Sequence, residues 1–361
     1  IETFGFSYSE LGLLMSVFFV VSGVGQATAG FLVDRLGARP VMFVALGTLA
    51  LACLVAFFAQ GYAGLMLSAA LFGIGNCSFH PVDFTILNQR VSLPRLGYAF
   101  SAHGLTGNLG WAVAPVFMVG ISSMFGWRAA YMAAACVFLG ILALLVWMRE
   151  AIETKVVDRK VNDPHATHTL AFLKIPVVWW CFVFFFLSTM TLAIVQTFSV
   201  SILQAMHHVS FESATLTLTA YMLCAAAGIF LGGFVASRWP LHSDRVVGIC
   251  MTVAAIFMAL CGSGWFSGTA TMVILAATGL SIGIGGPSRD MMIKKATPKG
   301  ATGRVYGMVY SGLDVGFAIS PLVFGVFMDR GWYGLTLVCG AGVLLLSVLV
   351  ALGVGKRTQV A

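Results

Sequence analysis

Residues 73–115 read GIGNCSFHPVDFTILNQRVSLPRLGYAFSAHGLTGNLGWAVAP. Two apolar segments flank a short loop that carries Arg90 and Arg95. The segments hold His80, Asp83, His103 and Asn108, where a lipid-soluble helix should hold no such groups. A degenerate copy follows 206 residues later without a gap. Gly73 maps to Gly279, Pro81 to Pro287, Gly97 to Gly303, Gly110 to Gly316 and Pro115 to Pro321. In that register Asn108 falls on Asp314. The stretch therefore belongs to a duplicated bundle with polar groups at equivalent places in its two halves.

Composition sets the class. The chain is 59% hydrophobic and 9% charged over 361 residues. A soluble domain carries roughly 25% charged residues, so this is a membrane protein. The apolar runs reach about 20 residues, enough to cross a bilayer as helices. They do not alternate as barrel strands do. The net charge of +7 is a topology signal in short loops and points to no nucleic acid. Eight cysteines lie in apolar runs without a CxxC pair and read as small buried residues.

Spans are expected near 10–33, 41–59, 62–87, 98–122, 129–148, 176–205, 212–236, 246–264, 268–288, 304–327 and 332–353. Every Lys and Arg except Arg128 and Arg330 falls at one set of span ends. The positive-inside rule makes those ends cytoplasmic, with the C-terminus inside and Ile1 outside. Residues 149–175 form the sizeable polar loop, and its His165 and His168 read as solvated linker residues. The repeat extends further: Ser7, Gly25, Gly30, Phe31 and Arg35 map at an offset of 203 onto Ser210, Gly228, Gly233, Phe234 and Arg238. Gly126-Trp127 recurs as Gly331-Trp332. The organisation expected is a bundle over 1–148, a cytoplasmic linker over 149–175 and a second bundle over 176–361. By the repeat, the first half lacks its first span, so Ile1 is expected to be a truncation point of a protein with twelve spans. Parallel six-helix repeats are one plan for secondary transporters.

The sharpest motif is Gly30-Phe31-Leu32-Val33-Asp34-Arg35-Leu36-Gly37-Ala38-Arg39-Pro40, between the first two spans. Glycines there permit a tight turn and close helix approach. Asp34 at a span end can pair with a base on a neighbouring helix, in one conformation and not in the other. The second copy has Ser237 in place of Asp34, so such a latch is asymmetric. The motif resembles the signature loop of the major facilitator superfamily, with Gly30, Leu32, Asp34, Arg35, Gly37 and Arg39 retained and Ala38 where a base is usual. That resemblance implies an all-α polytopic fold of two pseudo-symmetric six-helix bundles around a central cavity, and transport by alternating access. Gly110 to Pro115 is similar to the superfamily's fifth-helix antiporter motif, with Ala114 replacing its second glycine. A small-residue packing face with a proline kink explains it equally. Phe79-His80-Pro81 with Asp83 resembles the fosmidomycin-resistance branch, except that Val82 stands where a carboxylate follows the proline.

Depth ranks the polar groups. At about 1.5 Å per residue, Asp83 lies roughly 7 Å from the basic span ends and His80 and His103 roughly 8–12 Å. Asn108 and Asp314 lie roughly 15 Å deep, near the midplane. Asn76, His80 and Asp83 are spaced i, i+4, i+7, so they are expected to share one helix face. A mid-membrane ionisable group normally faces a cavity or a partner. No Lys or Arg lies at a span centre to neutralise Asp314, and desolvation disfavours the charged form. Asp314 is thus the first choice for a reversible proton carrier, against a hydrogen-bonded structural role. His80, Asp83 and His103 are further candidates for the proton path, against plain cross-helix hydrogen bonding. Two His and a carboxylate are suitable metal ligands, yet no third His and no HExxH pattern accompanies them, so no metal is expected.

Asn76, Asn108, Trp111, Gln196, Tyr221 and Tyr310 are polar-tipped candidates for the cavity lining. Gly30, Asp34, Arg35, Gly37 and Arg39 are candidates for the cytoplasmic gate. Arg289-Asp290 occupies the place of Asp83-Phe84 in the second copy, as an inner gate or as a snorkelling helix end. No phosphate-binding glycine loop occurs, so no nucleotide cofactor is expected. The function expected is secondary transport of a small molecule, coupled to protons, by a monomer in a bacterial inner membrane. A transport-inactive sensor of the same fold is the alternative. A membrane-embedded hydrolase is disfavoured, because Gly262-Ser263-Gly264 lies at an outer span end far from either histidine.

Overall fold

A computed structural model describes residues 8–156, 171–298 and 301–358. His165 and His168 lie outside the described residues. Twelve α-helices follow in order: α1 (Tyr8–Leu36), α2 (Ala38–Phe58), α3 (Tyr62–Asn76), α4 (Phe79–Arg90), α5 (Leu93–Phe125) and α6 (Trp127–Trp147). Then come α7 (Pro176–His207), α8 (Phe211–Arg238), α9 (Ser243–Gly262), α10 (Gly268–Ala296), α11 (Thr302–Asp329) and α12 (Tyr333–Thr358). No strand occurs among the described residues. Among the described residues eleven segments are long and apolar enough to cross a membrane, with α3 and α4 sharing one of them, Tyr62–Arg90.

That shared span departs from the unbroken helix expected over 62–87. α3 ends at Asn76, and α4 restarts at Phe79. Pro81 cannot donate to the Cys77 carbonyl. The equivalent Pro287 nevertheless sits inside a continuous α10, so the proline alone does not break the span. The difference lies at residues 76–78, which are Asn-Cys-Ser here and Ile-Gly-Ile over 282–284. Asn76 Nδ2 donates to Ser22 Oγ at 2.9 Å, and Cys77 Sγ donates to the Ile74 carbonyl at 3.0 Å. Side-chain bonds of this kind compete with the helix ladder. The break falls between Asn76 and His80, so their i, i+4 spacing is not that of one helix face.

The chain divides into two compact units. The first holds Ile1–Arg90, Gly110–Lys174 and Pro298–Asp314; the second holds Val91–Leu109, Ile175–Thr297 and Val315–Ala361. The first part of α11 thus packs with the N-terminal helices, and the first part of α5 with the C-terminal ones. The first unit has a core of Val33, Val41, Met42, Leu46 and Val82, backed by Phe138 and Leu142. At the far end of α2, Arg128 Nη2 and Nε donate to the carbonyls of Ala59 (2.7 Å) and Phe57 (3.1 Å). These are orphan acceptors of a helix C-terminus, which a cation suits.

The second unit is tied by hydroxyls that cross between helices. Thr191 Oγ1 donates to the Gly340 carbonyl (3.1 Å), Ser281 Oγ to Cys250 (2.8 Å) and Ser320 Oγ to Met190 (2.8 Å). Lipid offers apolar side chains nothing that a neighbouring helix does not, so close packing and such bonds hold membrane helices together. Exposed apolar residues such as Val44, Leu67, Leu216 and Leu349 are the lipid-facing remainder.

Candidate functional site

The motif loop is built around a buried ion pair. Asp34 Oδ1 accepts the Gly303 N–H at 2.9 Å; Oδ2 accepts the Arg304 N–H at 3.2 Å and Arg304 Nε at 2.7 Å. The two side chains are only 6% and 13% exposed. Asp34 therefore caps the first turn of α11, where backbone donors have no intrahelical partner and a negative charge is favoured. The base foreseen as its partner is Arg304. One turn deeper, a Cβ on Gly30 would overlap the Gly303 carbonyl, and one on Gly303 would lie 2.7 Å from the Gly30 oxygen. Only glycine admits this backbone contact.

Behind the ion pair, Gly37 turns the chain at φ 83°, a region that favours glycine. The start of the linker docks there. The Ala38 N–H donates to Thr154 Oγ1 at 2.8 Å, Arg39 pairs with Glu153 at 3.5 Å, and Gln89 and Lys155 exchange two hydrogen bonds. Arg90 donates to the carbonyls of Glu153 and Glu150. Arg35 is exposed and takes no part in these bonds.

The second copy repeats the packing without the charge. In α5 and α8, a Cβ on Gly97 would lie 2.6 Å from Ser237 Oγ, and Ser101 Oγ donates to the Ile229 carbonyl at 2.6 Å. Ser237 stands where Asp34 stands in the first copy, as the repeat indicated.

Deeper along the α1–α11 contact lies a pair that the sequence reading passed over. Gln26 Nε2 donates to Asp314 Oδ2 at 3.2 Å, and the two residues are 1% and 7% exposed. Gln26 is the one amide side chain in α1. The depth criterion that picked out Asn108 would have found it. Among the described residues Asp314 makes no salt bridge.

The other candidates fall into separate groups. His80 stacks on Tyr310 with ring centroids 4.2 Å apart, and Phe84 stacks on Tyr306 at 4.5 Å. These four rings interleave α4 with α11. Asp83 is half-buried on the same helix as His80. His103 is instead within electrostatic reach of Asp290 and Arg289. Arg289 Nε bonds Asp290 Oδ1 at 3.1 Å, and its guanidinium lies 4.7 Å from the Phe185 ring centre. Asn108 donates to the Gly104 carbonyl of its own helix at 3.0 Å, and Asn76 belongs to the helix break. Trp111 is 75% exposed, Gln196 is half-buried, and Tyr221 is buried. Among the described residues no group of three His, Cys, Asp or Glu is placed to hold a metal. An apolar groove of about 600 Å³ between α1, α2 and α3, walled by Val20, Val24, Leu32, Val44 and Ile74, has no charged lining.

A small-residue, antiparallel α1–α11 contact is repeated as α5–α8, on eleven candidate spans among the described residues. The family model described as Major Facilitator Superfamily matches residues 1–240 and 195–360. The chain belongs to the major facilitator superfamily. Among curated relatives, a probable L-galactonate transporter of Escherichia coli (strain K12) is 23% identical over 351 residues, covering 91% of this chain and 77% of the relative. The membrane sensor protein UhpC of Escherichia coli (strain K12) is 23% identical over 335 residues, covering 84% and 74%. Among solved structures, the E. coli fucose:proton symporter FucP matches with a TM-score of 0.78 at 13% identity, over 97% of this chain and 91% of that one. The fold of this superfamily member is therefore the major facilitator fold, and its relatives include membrane transporters and a membrane sensor.

Proposed function

We propose that the chain is a proton-coupled secondary transporter of a small organic solute, with Asp314 as the proton carrier. The observation that carries this is the buried Gln26–Asp314 pair. A buried carboxylate on α11, in an apolar span, has an amide as partner and no salt bridge among the described residues. Such a group holds or releases a proton at modest cost, whereas one locked by arginine would stay charged. In this reading the halves over 1–148 and 176–361 alternate access to a midplane site, joined by the 149–175 linker. The Asp34–Arg304 pair is the latch that holds the cytoplasmic side shut. His80, Asp83 and His103 line the proton path. The chain works as a monomer in the bacterial inner membrane, with its C-terminus in the cytoplasm.

The L-galactonate relative makes a sugar-acid carboxylate the first substrate class to test. The Phe79–Pro81 stretch makes an efflux substrate of the fosmidomycin type the second. The experiment is uptake of labelled L-galactonate into proteoliposomes under an imposed pH gradient, for wild type and Asp314→Asn. Gradient-driven accumulation should vanish in the variant while downhill exchange persists. Equal accumulation in both would remove the coupling role. The UhpC relative favours a second reading, a sensor that binds its solute without accumulating it. Saturable binding with no accumulation in wild type would select that reading.

A further inference from the structure

The α1–α11 contact is a two-helix zipper with three levels. Gly23, Gln26, Gly30 and Asp34 lie three or four residues apart on α1, and Gly303, Gly307 and Asp314 lie four and then seven residues apart on α11, so each set forms one helix face. The helices run antiparallel. Asp34 meets Gly303 and Arg304, Gly30 meets Gly303, Gly307 meets the Gln26 backbone, and Gln26 and Gly23 meet Asp314. The ion pair and the Gln26–Asp314 bond are about 12 Å apart along α1. The mirror zipper of α5 and α8 packs with Ile229 at the position of Gln26 and Asn108 at that of Asp314. There Ile229 lies 3.4 Å from a Cβ built on Gly104, and Asn108 bonds its own helix. A zipper of this geometry therefore closes without a side-chain to side-chain bond at its deep end, the polar contact there running from Ser101 Oγ to the Ile229 carbonyl. Gln26 is not needed to fill space; its amide has another use.

Resting on the reading that Asp314 carries the proton, we propose that Gln26 is the positioning residue that transmits the protonation state of Asp314 to the α1–α11 zipper. With Asp314 ionised, the Gln26 N–H donates to a charged acceptor, the stronger kind of hydrogen bond. When Asp314 takes a proton, that acceptor becomes a neutral carboxyl whose O–H itself seeks an acceptor. The bond weakens or the amide must turn over, and the deep end of the zipper loosens. Proton binding thereby favours separation of α1 from α11, the motion that opening the latch requires. The other titratable groups near Asp314 are Cys77, at the α3–α4 break and within its electrostatic reach, and Tyr310 and His80, which stack one turn away. From α1 the carboxyl is met by Gly23 and Gln26, neither of which titrates.

The test is an infrared pH titration of the protonated-carboxyl band on the reconstituted full chain, without substrate. The band of Asp314 is the one missing in Asp314→Asn. Gln26→Ile copies the residue that the mirror zipper tolerates. Removing the donor to the ionised form should move the midpoint of that band to higher pH by about one unit, a tenfold change in proton concentration. An unmoved midpoint in Gln26→Ile overturns the inference while leaving Asp314 as carrier. Absence of any titrating Asp314 band overturns the carrier role and this inference together. Should Gln26→Ile not fold, Gln26→Met serves in its place. Independently, backbone hydrogen exchange at 301–307 in wild type, corrected for its intrinsic pH dependence, should quicken as pH falls. That response should vanish in Asp314→Asn; a pH-independent wild type refutes the inference.

Discussion

Replacing Asp34 by Asn tests the proposed latch at its buried ion pair. The carboxylate accepts three hydrogen bonds from the first turn of α11, two from backbone N–H groups and one from a guanidinium 13% exposed. Removing one partner of a buried pair costs about 3–5 kcal/mol. The Asn carbonyl retains one acceptor and Arg304 keeps some solvent, so about 2–3 kcal/mol is expected here. At about 1.4 kcal/mol per tenfold, local opening of the α11 start becomes about 30- to 150-fold more frequent. Hydrogen exchange of the 301–310 segment in proteoliposomes reads this directly, because exchange follows local opening. The α5 segment 97–104 is the internal control. It makes the same backbone approach against Ser237 and has no contact with Asp34 among those described. Asp34→Asn should accelerate 301–310 and leave 97–104 unchanged. Unchanged exchange at 301–310, or equal acceleration of both segments, would refute the argument. Asp34→Ser, which copies the second half, should behave as Asp34→Asn does or more strongly.

Two further perturbations address packing, beside the loss of gradient-driven uptake in Asp314→Asn and the shifted titration in Gln26→Ile. Gly303→Leu places carbon against the Gly30 carbonyl and Asp34; it should force α1 and α11 apart and leave a folded protein whose 301–310 exchange is fast at every pH. Arg128→Leu strips the last carbonyls of α2 of their donor and removes the cation over the Trp127 ring at 4.4 Å; a loss of about 1–3 kcal/mol should show as a lower thermal midpoint with the exchange of 301–310 unaltered.

Much of the frame was legible without coordinates. Apolar runs of bilayer length, a basic bias at one set of ends and the 206-residue repeat identify a duplicated helical bundle because each reports a constraint that lipid imposes locally. The Asp34 to Ser237 mismatch likewise announced a charge in one copy of the contact and none in the other, since the repeat aligns residues one by one. The break in the fourth span was not legible. Pro81 and Pro287 are equivalent, and the side-chain bonds of Asn76 and Cys77 separate them. The partners of the histidines were not legible either. His80 and His103 look alike in type and depth, yet one stacks on Tyr310 and the other reaches Arg289 and Asp290. Sequence depth ranks a residue along the membrane normal but says nothing of which helix it faces.

The chain by itself determined membrane residence, the number of candidate spans and which spans carry polar groups. These follow from the cost of burying polar atoms in hydrocarbon, which each segment meets alone. Tertiary structure alone decided who meets whom between residues 270 and 288 positions apart in sequence: Arg304 for Asp34 and Gln26 for Asp314. Such partners are chosen by close approach of small-residue faces, and the approach exists only once α1 and α11 are packed together.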